Sequence, residues 1–214
     1  ETAEHPGLME EGEYDVSATA VGVVEADELL GPDRVRAGDV VIGMASSGLH
    51  SNGYSLARHV LLERAGLPFD GYVEELGRPL GEELLEPTRI YAQDCLALAA
   101  ECEVKTFCHV TGGGLAGNLS RVIPENLTAR LSRGTWTPGQ IFRTIQSLGQ
   151  VSQEEMEKTF NMGVGMVAVV SANDRDRALA MLAARHIPSW ELGTVTESAD
   201  GEERVELTGS HPGY

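Results

Sequence analysis

The chain has 214 residues, of which 42% are apolar, and a formal net charge of -17. That length allows one large domain or two small ones around a sizeable core. The acidity argues against nucleic acid or an anionic membrane as a partner, because both repel such a chain at long range. No apolar run approaches the ~20 residues of a bilayer span.

In chain order, residues 16–24 (VSATAVGVV) mix small and β-branched side chains and predict a buried strand. Residues 39–45 predict a second strand. Residues 52–65 carry apolar positions at helical spacing, and Gly66 ends that helix. Residues 67–86 are rich in Pro and Gly and predict an irregular loop. Pro87-Thr88 opens a predicted helix running to about Cys102, followed by a strand over 104–110 and a helix that ends before Pro124. A short strand over 127–131 precedes a helix predicted from Thr137-Pro138 to Leu148. Ser152 and Glu155 have the spacing of a capping box. The apolar run 164–170 predicts a strand, Asn173 caps a helix to about His186, and residues 190–196 and 204–207 predict final strands. Strands and helices mix without strict alternation, which predicts an α+β fold, a mixed sheet between helices.

Four segments bear on chemistry. Ser46-Ser47-Gly48-Leu49-His50-Ser51-Asn52-Gly53 joins a predicted strand to a predicted helix. A small, polar, Gly-rich turn in that position presents backbone N–H groups and a helix start to an anion, most often a phosphate. His50 lies within it and can exchange a proton near neutral pH. His109-Val110-Thr111-Gly112-Gly113-Gly114 repeats the design. In Thr159-Phe160-Asn161-Met162-Gly163-Val164-Gly165, Asn161 is placed either to bond a substrate or to hold a turn, and the glycines relieve crowding in a buried strand. At the start of the chain, Glu1 and Glu4 lie just before a Pro-Gly turn and either offer oxygen ligands of the kind Mg²⁺ takes or belong to a frayed chain end. Cys95, Cys102 and Cys108 lack metal-site spacing and read as buried free thiols of a reducing cytoplasm.

The motifs occur in a telling order: ETAEHPG at 1–7, YDVSATAVGVVE at 14–25, GDVVIGMASSGLHSNGYSLAR at 38–58, LLEPTRIYA at 84–92, HVTGGGLAGNLSRVIP at 109–124 and TFNMGVGMVAVV at 159–170. Together they resemble the phosphoribosylformylglycinamidine cyclo-ligase (AIR synthetase) family of purine synthesis. The resemblance implies a three-layer α/β/α domain with a mixed sheet over 26–214. Residues 1–25 would be a connecting segment and first strand that follow an N-terminal domain missing from this chain. His5 stands where the family commonly has Met. The implied reaction is ATP-dependent and Mg²⁺-assisted: formylglycinamidine ribonucleotide closes to 5-aminoimidazole ribonucleotide, in a homodimer. On that reading His50 is the proton-transfer residue, a donor to the phosphoryl group, or a structural brace. Ser51, Asn52, Gly53, Thr111, Gly112, Gly113 and Asn161 bind substrate or phosphate. Arg89 is a phosphate ligand or a surface charge on a capped helix. Glu1 and Glu4 face the nucleotide and metal. The alternatives are an inactive phosphate-binding domain and a related ATP-dependent phosphotransferase.

Overall fold

The structure, a computed structural model, describes Gly12, residues 16–199 and residues 201–214. Its centre is a six-stranded mixed sheet built from β1 (Val40–Ala45), β4 (Val104–His109), β5 (Leu127–Ser132), β6 (Val164–Val170), β7 (Ser189–Glu197) and β8 (Val205–Thr208). The strand order is β4-β6-β1-β7-β5-β8. Only β5 and β8 pair in parallel; the other neighbours are antiparallel. A two-stranded hairpin, β2 (Tyr72–Val73) with β3 (Arg78–Pro79), stands apart.

Alternation along the central strands builds the layers, because successive side chains leave a strand on opposite faces. Val40, Ile42 and Met44 of β1, with Ala168 and Val170 of β6, pack under Leu98 of α3 (Ala92–Glu101) and Ala178 and Leu182 of α7 (Arg175–Ala184). Val41, Val167 and Val169 face the other way, against Leu115 and Leu119 of α4 (Gly114–Leu119). A third cluster joins Ala57 of α1 (Tyr54–Arg58), Leu80 and Leu84 of α2 (Leu80–Leu84), Phe142 of α5 (Gln140–Gly149) and Met156 of α6 (Gln153–Thr159). This is the expected three-layer arrangement.

Several local expectations change. Residues 16–24 form no strand and are exposed, with Val21 at 91% and Val23 at 99% accessibility. Their β-branched composition suits a sheet, but neither described sheet includes them. The loop expected over 67–86 contains the small hairpin and α2. The helix expected from Pro87 starts at Ala92, so Arg89 lies in irregular backbone rather than on a capped helix. The helix expected from Pro138 starts at Gln140. Past Arg58, α1 continues as a π-helical turn, His59–Arg64, and Gly66 follows at φ +65°. Ser152 caps α6 by accepting from Glu155 N at 3.2 Å, but the Glu155 carboxylate accepts from Thr159 instead of reaching back. Asp174, not Asn173, occupies the start of α7, and its carboxylate accepts from Glu103 N. All three cysteines are free thiols, with Cys102 and Cys108 buried and Cys95 half-buried. Among the described residues, no helix is long and apolar enough to cross a membrane.

Candidate functional site

β1 and β4 both flank β6 and both run antiparallel to it, so they end at the same edge of the sheet. The two Gly-rich turns leave from those ends. They are separated by one strand, about 9–10 Å between β1 and β4, and the start of β6 rises between them. Asn52 Oδ1 of the first turn would stand 3.6 Å from a Cβ placed on Gly112 of the second. The sheet order therefore turns two separate motifs into one site.

The first turn is held from below. Asn161, 2% exposed, donates through Nδ2 to the carbonyls of Gly48 (2.9 Å) and Leu49 (3.2 Å). Its Oδ1 accepts from Ser46 Oγ at 3.0 Å and Gly163 N at 2.8 Å. The amide's two donors and two acceptor positions are thus used within the protein, which makes Asn161 a staple between the turn and β6. Gly53 opens α1 at φ +76°, and a Cβ there would lie 2.2 Å from Phe160. Both the conformation and the contact require glycine. Ser51 Oγ lies 3.4 Å from Thr88 Oγ1, at the turn's exposed side.

The second turn is gathered onto Asn118. Its Nδ2 donates to the carbonyls of Thr111, Gly112 and Gly114, and its Oδ1 accepts from Thr111 Oγ1 at 3.1 Å. Gly113 N donates to Lys158 O at 3.0 Å. Gly114, at φ +66°, presses so close to α6 that a Cβ would sit 1.6 Å from Glu157 O. Thr111 and Gly113 thus spend these donors inside the fold, while the Gly112 N–H has no partner among the described residues.

Between the turns lies a group of rings. His50 is 3% exposed and has φ +57°. Its centroid is 6.2 Å from Tyr91 and 6.5 Å from His109, and those two are 6.4 Å apart. Tyr91 Oη donates to Ala45 O at 2.7 Å. Burial, then the charges of His109 and Arg89, push the His50 ring down to about 4 from its usual 6.5. His50 Nδ1 and Arg89 Nε are both buried and find no hydrogen-bond partner among the described residues. Buried polar atoms left without a partner are costly unless a ligand satisfies them.

A cleft of about 620 Å³ adjoins the same turn, lined by Ser46, Ser47, Gly48, Trp136, Phe142 and Trp190, among others. Trp136 and Trp190 stack with centroids 6.4 Å apart. The end of the described chain braces this wall. His211 lies edge-on to Trp136 at 4.5 Å and donates from Nδ1 to backbone carbonyls of Arg133 and Trp136. Arg133 pairs in two places with Glu157, at 2.7 and 2.8 Å.

Glu1 and Glu4 lie outside the described residues. Among the described residues, no cluster of three or more His, Cys, Asp or Glu side chains is placed to hold a metal ion. Tyr91, Ser47 and Asn118 are the participants that the motifs alone did not single out. The only signal for Tyr91 was its place beside Arg89 in the PTRIY stretch.

Fold and site together define a class. Residues 36–206 match the AIR synthase related protein family, C-terminal domain. Solved structures of that shape include a thiamine-monophosphate kinase from Stenotrophomonas maltophilia, with TM-score 0.61 and 16% identity over 87% of this chain and 55% of that one. Another is a hydrogenase maturation protein from E. coli, with TM-score 0.54 and 19% identity over 85% of this chain and 49% of that one. At such identities the likeness is one of fold. Closer relatives narrow the class. A Streptomyces fradiae protein with a provisional phosphoribosylformylglycinamidine cyclo-ligase name is 57% identical, over 83% of this chain and 99% of its own length. The phosphoribosylformylglycinamidine cyclo-ligase of Anaeromyxobacter dehalogenans is 49% identical over 97% of this chain. The chain belongs to the phosphoribosylformylglycinamidine cyclo-ligase family. It spans 60% of the length of the Anaeromyxobacter relative.

Proposed function

We propose that this chain supplies the C-terminal part of an ATP-dependent cyclo-ligase that closes formylglycinamidine ribonucleotide to 5-aminoimidazole ribonucleotide. The observation that carries the reading is the pair of buried, unsatisfied donors, His50 Nδ1 and Arg89 Nε, beside two adjoining Gly-rich turns. That constellation suits a phosphate oxygen, either on the ribonucleotide or on the transferring phosphoryl group. Ser51, Asn52 and Gly112 complete the ligand contacts, while Gly53, Thr111, Gly113 and Asn161 hold the turns in shape.

In this reaction the formamide oxygen takes the γ-phosphoryl group of ATP, releasing ADP. The ring-forming nitrogen then attacks the same carbon, and the carbon–oxygen bond to phosphate breaks. The present residues bind and orient the phosphate during both steps. A further N-terminal domain would supply the rest of the nucleotide and metal site, with Glu1 and Glu4 on that side. In this reading residues 1–25 form the connecting segment and residues 26–214 the domain proper. The exposed Val21 and Val23 support it, since they offer apolar surface to a neighbour. A homodimer is the assembly we infer for the longer protein. The free thiols favour a reducing compartment, the cytoplasm.

The test is ADP release and product formation by this chain alone, and by the chain joined to the N-terminal part of a full-length relative. Turnover by the joined protein and none by the chain alone is the expected result. In the joined protein His50→Ala should cost at least about a hundredfold in kcat/KM, the ~2.7 kcal/mol range of a lost oxyanion donor. Near-normal turnover of that variant removes His50 from the mechanism. A second reading is a phosphate-binding domain without activity, since the backbone turns and buried donors that suit a phosphate need no turnover. It predicts phosphate binding by calorimetry and no turnover in either protein. Turnover with a different phosphoryl acceptor would instead reveal a related phosphotransferase.

A further inference from the structure

The surroundings of His50 decide where its proton resides. Nε2 accepts a hydrogen bond from the Ser47 backbone N–H at 3.0 Å. A backbone amide cannot reverse that bond, so the ring's lone pair lies on Nε2 and its proton on Nδ1. Charging the ring would set two N–H groups against each other. The charges that act on it come from His109, at the end of β4, and from Arg89, and both oppose a second positive charge. The Tyr91 phenol and the backbone of Gly165 in β6 also lie close to the ring.

Tyr91 holds the ring in place. Its hydroxyl donates to Ala45 O at 2.7 Å, at the root of the turn that carries His50. Both side chains rest on Gly165: a Cβ there would lie 2.0 Å from Tyr91 Oη and 2.5 Å from His50 Cε1. The glycine therefore provides the floor, Tyr91 the wall and Ser47 the lock on the tautomer. What remains free is the Nδ1–H, buried without a partner among the described residues.

We propose that His50 acts as an uncharged Nδ1–H donor to a bound phosphoryl oxygen and moves no proton, and that Tyr91 is the residue that positions it. The inference rests on the phosphate reading of this site and separates two roles that reading left open. The proton lost by the ring-forming nitrogen then leaves with the displaced phosphate or passes to water.

The experiment is long-range proton–nitrogen NMR of the ¹⁵N-labelled chain between about pH 5.5 and 8.5. The His50 signals are assigned by their loss in His50→Asn. One protonated Nδ1 and one unprotonated Nε2 are expected at every pH in the range. Inorganic phosphate should move the Nδ1–H signal. Tyr91→Phe should leave the chain folded and give His50 a mixture of tautomers; an unchanged ring in that variant removes the positioning role. Phosphate binding gives an independent measure. An Asn amide can stand in for Nδ1–H and also tolerates φ > 0, so His50→Asn should weaken phosphate by less than about threefold and His50→Ala by about tenfold or more. A ring that titrates within the range, or carries its proton on Nε2, overturns the donor role while leaving the phosphate reading intact. A ring that stays Nδ1–H but ignores phosphate overturns it through that reading.

Discussion

At φ +57°, His50 holds a backbone conformation that costs a non-glycine residue roughly 1–3 kcal/mol. The bonds from Asn161 to Gly48 and Leu49, together with the Ser47 bond to the ring, over-determine the turn and retain that conformation. The same burial makes His50 a titration probe. Unfolded, the ring titrates near 6.5; folded, burial followed by His109 and Arg89 sets it at about 4. Above pH 6.5 the ring is neutral in both states and contributes no pH dependence. As pH falls toward 4, the unfolded chain binds a proton that the fold refuses, and stability is lost, by roughly 3 kcal/mol at the lower end. Urea unfolding of the wild type and His50→Asn between those pH values measures the loss as a growing difference. Parallel pH profiles would contradict this environment for the ring. Gly165→Ala tests the same spot sterically: the added methyl must displace Tyr91 or His50, at about 1–3 kcal/mol in stability.

Among the elements, β6 has the decisive position, because both turns hang on its flanks and Asn161 ties one of them to its first residues. Asn161→Ala removes four hydrogen bonds from a buried amide and leaves buried partners unsatisfied. A loss of about 2–4 kcal/mol should follow, and hydrogen exchange at the Gly163 amide should speed up well ahead of exchange in β7. Uniform acceleration across the sheet would mean that Asn161 supports the whole fold rather than the turn. The runs at 40–45 and 164–170 were legible as strands because apolar residues fill both faces of a central strand. The same composition misled at 16–24, which joins neither described sheet and exposes its β-branched side chains. At Pro87 a plausible helix start gave way to irregular backbone, which brings Arg89 and Tyr91 toward His50; tertiary placement overrode local propensity there. Both Gly-rich turns could be read from their residues. Their adjacency could not, since it depends on β6 pairing between β1 and β4, a long-range choice that no local pattern encodes. For the same reason Ser47, Tyr91 and Asn118 stayed hidden: each matters through a partner distant in sequence or through a backbone bond.

On the scale of the molecule, the exposed Val21 and Val23 predict behaviour in solution. An exposed, β-branched segment seeks a partner strand, so this chain should self-associate as its concentration rises. Val21→Asp with Val23→Asp should shift it toward the monomer in sedimentation velocity without changing its unfolding midpoint. Self-association that survives both charges would place the contact elsewhere. The donor-rich pocket, meanwhile, belongs to a chain whose formal charge is -17. Its local chemistry invites anions while its far field turns them away, and those forces act over different distances: the first at bond length, the second over the Debye length of about 10 Å at 0.1 M salt. Added inert salt should therefore speed the arrival of phosphate, the reverse of the usual electrostatic steering. The site works as a gate whose approach is uphill and whose interior is downhill, favouring ligands that bring enough neutral or cationic surface to offset the climb.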